Sequence, residues 1–497
     1  MRAWNGRNLP SEEYVRKTMP QIVGTLDMVM IVMLYMFFIT NPVGTMSGGP
    51  AALTYWLLGA LVFFLPTVVA AAQLTKLLPH EGSNYNWTHK ALGGFWSFFA
   101  SVTFWLPGVL VTVGSASYCV SLIQGLNTKW LTAPWEQGLL VIALLIVSTI
   151  LSLQRLQILL YLVRITTIIT YALVALLGLG AVIWIMMGHH PATDFALSNW
   201  GVNPSNFGLF GGVLIAYLGI DAPLILAGET KKNFSVSRSL LWSTIAVIAA
   251  YLIVSFALLV IEGSDGVAQL GNFSVIAAIE QVFGKTVGGV AAIGIIAYFP
   301  IFLALNGNLF ARLLMTTSID RRLPVGLAKL NKMREPASAI RFQTIVTVLF
   351  VAIAFLLPYI FRVENPADLN NEVLSITLSM MTLVWSFSSI FLFINLLIFC
   401  LRDPKGFRQK RIFPMSIIWA CIVIAPVASI VAIIMTLSYS PIPQLSAQQW
   451  MYIVGGLTIV CLVICVIFSL FATSEAAWQD QSSIAETDEK VNVEKSS

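Results

Sequence analysis

The chain has 497 residues, 58% of them hydrophobic and only 10% charged, with a formal net charge of +5. With a mean hydropathy of +0.84, this composition excludes a soluble globular chain and defines a polytopic membrane protein. The length accommodates about a dozen helices of roughly 20 residues, the span needed to cross ~30 Å of hydrocarbon.

Residues 1–20 are too polar and charged for a cleavable signal peptide and lead directly into the first apolar run, so they are expected to remain as a cytoplasmic N-terminal segment. Twelve apolar segments follow, at 22–47, 51–75, 92–126, 138–153, 165–188, 207–227, 239–261, 286–311, 342–361, 373–401, 412–440 and 450–473. Lipid offers no partner to free backbone groups, so each segment is predicted as a helix and the fold class as all-α. Residues 474–497 are polar, net acidic and rich in Ser, which predicts a disordered cytoplasmic tail.

Basic residues are retained on the cytoplasmic side, and this sets the orientation. With the N-terminus inside, only Lys129, Lys285 and Arg362 fall in outer loops, so 28 less 3 leaves 25 basic residues inside or at inner helix ends. The outer loop around Glu364, Asp368 and Glu372 is acidic. The stretch from Leu77 to Gly94, LLPHEGSNYNWTHKALGG, then faces the cytoplasm.

His80, Glu81 and His89 in that stretch have metal-ligand chemistry, but the other two histidines, His189 and His190, belong to an outer loop across the membrane. No histidine lies within a predicted span, and Ser47 in TMSGGP has no visible base, so nothing points to an enzyme or a cofactor. Cys119, Cys400, Cys421, Cys461 and Cys465 sit in or at the ends of apolar segments, where packing is the better reading, and no disulfide framework is implied.

The order of residues in the same stretch carries a pattern. Pro79, Gly82, Ser83, Tyr85, Trp87, Ala91 and Gly93 reproduce without a gap the Pro-x-x-Gly-Gly-x-Tyr-x-aromatic-x-x-x-Ala-x-Gly pattern that follows the second helix of amino acid permeases, with Ser83 in place of the second glycine. The chain thus resembles the amino acid/polyamine/organocation superfamily. The glycines allow a tight turn, and the aromatics are expected to anchor the re-entering segment at the membrane interface.

Two further stretches extend the resemblance over 21–411. In AYLGIDAPLILAGETKK, Gly219, Asp221, Glu229 and Lys231 are similar to the family's sixth-helix pattern, without the usual Asn-Pro after the loop lysine. In ARLLMTTSIDRRLPVGLAKLNKMREPASAI, Arg312, Asp320, Leu323, Pro324, Asn331 and Pro336 are similar to its eighth helix and following loop. The register of the first helix resembles the glutamate/GABA antiporter branch.

The resemblance implies 12 transmembrane helices: a core at 21–411 of two inverted five-helix repeats (5+5), then two C-terminal helices at 412–473. It implies secondary transport of amino acids or related amines by alternating access, through proton symport or substrate exchange. The expected partners are a small-molecule amino acid, the lipid membrane and a proton as coupling ion; nothing suggests nucleic acid.

Discontinuous helices place backbone amides and carbonyls at mid-membrane, where they can bind an amino acid's carboxylate and ammonium. The sixth helix carries Gly208, Gly211, Gly212, Gly219 and Pro223, so the backbone of Ala216, Tyr217, Leu218 and Gly219 is the expected substrate contact, with close helix packing as the alternative reading of the small residues. In the first helix, Met33, Leu34, Tyr35 and Met36 stand where the family breaks its helix with glycines, so either the break persists without glycine or the local geometry differs.

Asn306 and Asn308 lie inside an otherwise apolar eighth span; Asn306 is expected to face substrate or water, or else to bond between helices. Asp221 and Asp27 are the ionisable residues singled out for coupling or pH sensing. Glu229, at the inner end of its helix, is expected to pair with a basic loop residue. The fifth helix has no lysine of the kind some proton-coupled relatives carry, and Arg164 lies near its inner end, so the coupling ion stays open. A major facilitator transporter would want a longer basic loop than 231–238, and a channel would want a selectivity filter that is not visible.

Overall fold

The structure is a computed structural model that describes residues 9–80, 82–127, 129–203, 206–360, 369–440 and 445–496, without the side chains of 357, 358, 360 and those from 473 onward. The described residues form helices and turns; the one extended pairing among them is an isolated bridge between Val23 and Thr230.

Along the chain the helices are α1 (Pro10–Thr18), α2 (Thr25–Met36), α3 (Ala51–Gly59), α4 (Leu65–Leu77), α5 (Asn84–Leu92), α6 (Gly94–Leu126), α7 (Pro134–Ser152), α8 (Leu156–Met186), α9 (Leu209–Tyr217), α10 (Val236–Ile261), α11 (Gly263–Leu270), α12 (Ser274–Phe283), α13 (Lys285–Ile319), α14 (Ala337–Ile360), α15 (Leu369–Arg402), α16 (Pro404–Lys410), α17 (Met415–Ser438) and α18 (Ala447–Ser496). A π-helical turn, Ala60–Phe64, joins α3 and α4 into one span. Among the described residues ten helices are long and apolar enough to cross a membrane, and an eleventh crossing is gained if α2 and the 3-10 segment Asn41–Gly48, bent by 50°, count together. The sixth predicted segment is split into α9 and a 3-10 helix, Pro223–Glu229, each too short to span alone.

Two of the boundaries that differ from the sequence expectation do so for one reason. Helix α8 begins at Leu156 rather than 165, and α13 runs on to Ile319 rather than ending at 311. Hydropathy stops at a charge, whereas a helix continues through Arg164 and Arg312 when each guanidinium finds a carboxylate. Helix α18 runs on through 473 to Ser496, where the sequence predicts a disordered tail; the side chains from 473 onward, and Glu81, Arg362, Glu364 and Asp368, lie outside the described residues.

The most enclosed spans are those that build the centre. The apolar windows of α6 and α15 are 78% and 72% buried within the protein, against 22% for α18, whose surface is left to lipid. Short α11 and α12 fold over the end of α10 and the Asn41–Gly48 segment.

Candidate functional site

The first helix breaks without glycine. α2 stops at Met36, Phe37 is extended (φ −120°, ψ 112°), and helical turns resume only at Asn41. A helix leaves its last four carbonyls without internal partners, and in α2 these belong to Met33, Leu34, Tyr35 and Met36. Two are satisfied by tyrosine hydroxyls from neighbouring helices: Tyr298 donates to the Leu34 carbonyl (2.6 Å) and Tyr251 to that of Met36 (2.7 Å). The Tyr251 hydroxyl also accepts from the Phe38 amide (3.5 Å) and Asn41 Nδ2 (3.2 Å), bridging the gap. Hydroxyls from other helices thus do what a glycine break leaves to the chain itself, a signal carried by distant positions.

The second break follows the sequence. α9 ends at Tyr217, Leu218 is extended, and Gly219 takes φ +95°, a left-handed conformation that glycine adopts freely. Two short bonds, from the Ala222 amide to the Gly219 carbonyl (3.0 Å) and from the Ile225 amide to the Ala222 carbonyl (3.0 Å), turn the chain into Pro223–Glu229.

A cavity of about 40 Å³ lies between the breaks. That is room for a few water molecules. Tyr35, Phe38 and Asn41 line it from the first break and Ile215, Ala216 and Leu218 from the second; α6 adds Ser115 and Tyr118, α13 adds Phe302, and α15 adds Met381 and Trp385. None of its lining residues is charged. Ile215 also lines a larger pocket of about 450 Å³, bounded by Gly44, Gly48, Gly208, Gly212 and Tyr439, which reaches the surface past the second segment of the broken first helix.

Of the sequence candidates, Tyr35, Ala216 and Leu218 line the cavity. Met33, Leu34, Met36, Tyr217, Gly219 and Asn306 do not. Tyr217 faces away, stacked on Phe64 (4.6 Å between ring centroids) with its hydroxyl donating to the Trp56 carbonyl (3.3 Å). Gly219 lies behind Trp385. Asn306 is fully buried one layer back: its Oδ1 accepts from the Tyr35 hydroxyl (2.9 Å), and its Nδ2 donates to the Gly108 carbonyl (2.9 Å) and Thr112 Oγ1 (2.8 Å). Its amide therefore joins α2, α6 and α13 and holds a cavity residue in place.

Asp221 is 5% exposed in the turn after Gly219. Asp27 caps α2 by accepting from the Gly24 amide (2.9 Å) and is ion-paired with Arg164 of α8, whose Nε donates to its Oδ1 (2.7 Å). Arg164 thus stands against the first helix, a partnership that the sequence separation conceals.

Opposite the larger pocket the structure is shut. Val23 and Thr230 pair, with the Val23 amide donating to the Glu229 carbonyl (3.1 Å) and the Lys231 amide to the Val23 carbonyl (2.9 Å). Glu229 pairs with Arg312 within α13, not with a loop residue as expected, because the helix carries that arginine into a fully buried position. Across this seam lies α1. The Ser11 amide and hydroxyl donate to Asp320 (2.9 and 2.8 Å), Glu12 is 3.1 Å from Lys90 Nζ and 3.8 Å from His80 Nε2, and Val15 and Met19 pack on Met315. Burial pushes the Asp320 carboxyl up to about 6 against the lowering effect of the Ser11 bonds. Burial pushes His89 down to about 4, assisted by Arg322 and Lys90, while its Nδ1 lies 3.3 Å from Ser97 Oγ.

The motif that opened the family resemblance is part of this seal. Tyr85 and Trp87 are fully buried, with Trp87 Nε1 donating to the Leu78 carbonyl (3.3 Å), so they are core residues of the closed end rather than anchors in the lipid interface. Their amphipathic chemistry suits an interface equally well, and only the packing of α5 against α6 and α15 separates the two.

Trp385, Ser115, Tyr118, Phe302, Tyr251 and Tyr298 were not legible as site residues. They sit on continuous apolar helices, where an aromatic or a serine carries no mark of facing a cavity.

Two broken helices lining one uncharged cavity, with a larger pocket adjoining at Ile215 and a sealed end opposite, have the plan of a secondary transporter. The chain belongs to the amino acid permease family, whose model matches residues 23–436. It is 26% identical to the serine/threonine exchanger SteT of Bacillus subtilis over 314 residues, 61% of this chain and 68% of that one. It is 25% identical over 351 residues to the branched-chain amino acid permease BcaP of Lactococcus lactis (64% and 72%), and 23% identical over 367 residues to the inner membrane transporter YjeM of Escherichia coli (64% and 72%). These relatives are transporters, and the chain is a multi-pass membrane carrier of amino acids.

Proposed function

We propose that this permease moves a small neutral amino acid by alternating access, with Tyr35, Ala216 and Leu218 at the substrate and Trp385 closing over it. The observation that carries the reading is the lining of the central cavity, which holds hydroxyls, an amide and apolar groups but no charge. An acidic or basic substrate side chain would be desolvated there without a partner, at a cost of several kcal/mol. Backbone groups at the two breaks supply the dipoles for the carboxylate and ammonium that all amino acids share. The relatives named for serine/threonine exchange and for branched-chain amino acids also handle neutral side chains.

The architecture that belongs to this reading is twelve crossings, with the two broken helices counted as one each and the core at 21–411 read as two inverted five-helix repeats begun by the broken helices. The excess of basic residues on one set of loops favours both termini in the cytoplasm. On that orientation the larger pocket opens outward, and the seal formed by α1, α5 and the Val23–Thr230 pairing is cytoplasmic.

Purified protein in liposomes loaded with one amino acid and challenged with each of the others tests the reading. Saturable, stereoselective exchange of neutral amino acids is the expected result. Preference for acidic or basic substrates would overturn the substrate class, and unsaturable flux would point to a channel.

A further inference from the structure

We propose that the buried cluster of Glu229, Arg312 and Glu335 is a proton-binding clasp: the cytoplasmic seal closes with a proton held on Glu229 and releases it on opening. The proposal rests on the inner-gate reading above.

The geometry is specific. Arg312 Nε donates to Glu229 Oε1 (2.5 Å) and its Nη2 donates to Glu335 Oε2 (3.0 Å), while side-chain exposure is 0% for Arg312 and Glu229 and 2% for Glu335. Asn308 is wedged into the cluster: its Oδ1 accepts from Arg312 Nη1, and its Nδ2 donates to Glu335 Oε2 (3.0 Å). The Leu156 amide donates to Glu335 Oε1 (2.8 Å). Among the described residues, then, two carboxylates share one guanidinium away from water. Were both ionised, the cluster would bury an excess negative charge, and isolated buried charge is what proteins avoid by taking up a proton.

The three groups belong to different parts of the seal. Glu229 ends the second piece of the broken sixth helix, whereas Arg312 sits on α13 and Glu335 lies just before α14, tied to the start of α8 through Leu156. Opening the seal parts the broken helix from α13. That would leave Arg312 and Glu335 as a one-to-one pair and bring the Glu229 carboxylate into water, where it ionises. The balance is one proton, bound from water to a carboxylate oxygen on closure and returned on opening, with no other bond changed.

Other charged groups on the elements packed against the Glu229 segment are Asp27 on α2, Lys76 on α4, Lys285 at the start of α13 and Asp320 at its end, and Glu12, Glu13, Arg16 and Lys17 on α1; Arg155 and Arg334 neighbour Leu156 and Glu335 in the chain. Asp27 is held by Arg164, and Asp320 by Ser11. Asp320 and Asp221, which is buried in the turn just before the Glu229 segment, are the competing sources of pH dependence, and each is controlled for by its own Asn variant.

Spin labels at Lys232→Cys and Lys332→Cys, two exposed positions flanking the seal, in a Cys461→Ser background, report its width in full-length protein reconstituted in lipid. The expected result is a ratio of closed to open that rises as pH falls from 8 to 5, by up to about tenfold per pH unit for a one-proton linkage. In Glu335→Gln the cluster becomes one-to-one and neutral, so the seal still closes but the pH dependence collapses; in Asp320→Asn and in Asp221→Asn it persists. A pH-independent distance in the unmutated side-chain cluster overturns the clasp without any further variant. So does a pH dependence that survives Glu335→Gln and Glu229→Gln but vanishes in Asp320→Asn or in Asp221→Asn. A distance that responds to neither pH nor added neutral amino acid sinks the gate reading itself, which separates the two failures.

Discussion

Gly219 lies directly behind the indole of Trp385: a Cβ added to the glycine would sit 2.5 Å from Cζ2 and 2.6 Å from Cη2. The relationship ties the break in the sixth helix to α15, and it gives the glycine two reasons to be glycine, its φ of +95° and the missing space. We expect Gly219→Leu to abolish uptake while membrane insertion persists, and Gly219→Ala to lower uptake by at least ~tenfold, since left-handed strain and the clash each cost about 1–3 kcal/mol. Uptake in liposomes beside size-exclusion profiles checks this. Near-normal transport by the leucine variant would remove the second break from the site.

Asn306 anchors Tyr35 to α6. Asn306→Ala leaves the Tyr35 hydroxyl and the Gly108 carbonyl without that partner, and we expect a stability loss of about 1–3 kcal/mol together with weakened substrate affinity. Tyr35→Phe should cost less stability and, combined with Asn306→Ala, add little to its effect on affinity. Fully additive affinity losses would mean that the asparagine acts on the substrate by another route.

Asp221 sits in the break itself and is buried. Asp221→Asn should retain substrate binding and flatten the pH dependence of uptake, because the amide keeps a polar partner but cannot exchange a proton. Uptake is to be measured across pH with substrate at saturation and below it. An unchanged profile removes Asp221 from proton sensing.

Asp320 gives a stability signature. Its folded-state carboxyl titrates at about 6 against an ordinary value of 3.8, because burial outweighs the Ser11 bonds. The folded form therefore holds more protons than the unfolded form between these values, and this group's contribution to stability is present at low pH and lost as pH rises through about 4 to 6. Thermal unfolding in detergent should show that decline, and Asp320→Asn should remove it. A variant with the same slope would mean that other groups carry it.

Ser83 occupies φ +32°, ψ −103°, fully buried, with a hydroxyl that has no hydrogen-bond partner. The family pattern has glycine there. Ser83→Gly should raise stability by ~1 kcal/mol, since relief of backbone strain and of a buried unsatisfied hydroxyl outweighs the greater freedom of the unfolded chain. A lower unfolding midpoint would mean that the serine makes a compensating contact.

Much of this protein follows from its sequence. A hydrocarbon solvent permits few solutions for a backbone, so apolar runs locate the helices, and glycine with proline locates the break at 218–222 because those residues act locally. The family motifs are equally local: turns and caps that any folded context reuses. No lysine or arginine stands among the residues that the sequence marks as site candidates, at the two breaks and at Asn306.

The partnerships were decided by the tertiary structure. Nothing near Met36 announces that Tyr251 and Tyr298, more than two hundred positions on, close a break made without glycine. Arg164 and Arg312 read as helix ends because a lone charge in lipid is costly, and only the fold brings Asp27 and Glu229 to them. Tyr85 and Trp87 suit a lipid interface by composition and a sealed core by position. Trp385 is one aromatic among many until Gly219 is found behind it. Periodicity tells which residues leave water; which of them meet depends on contacts between helices far apart in the chain, and those are set by packing that no local pattern encodes.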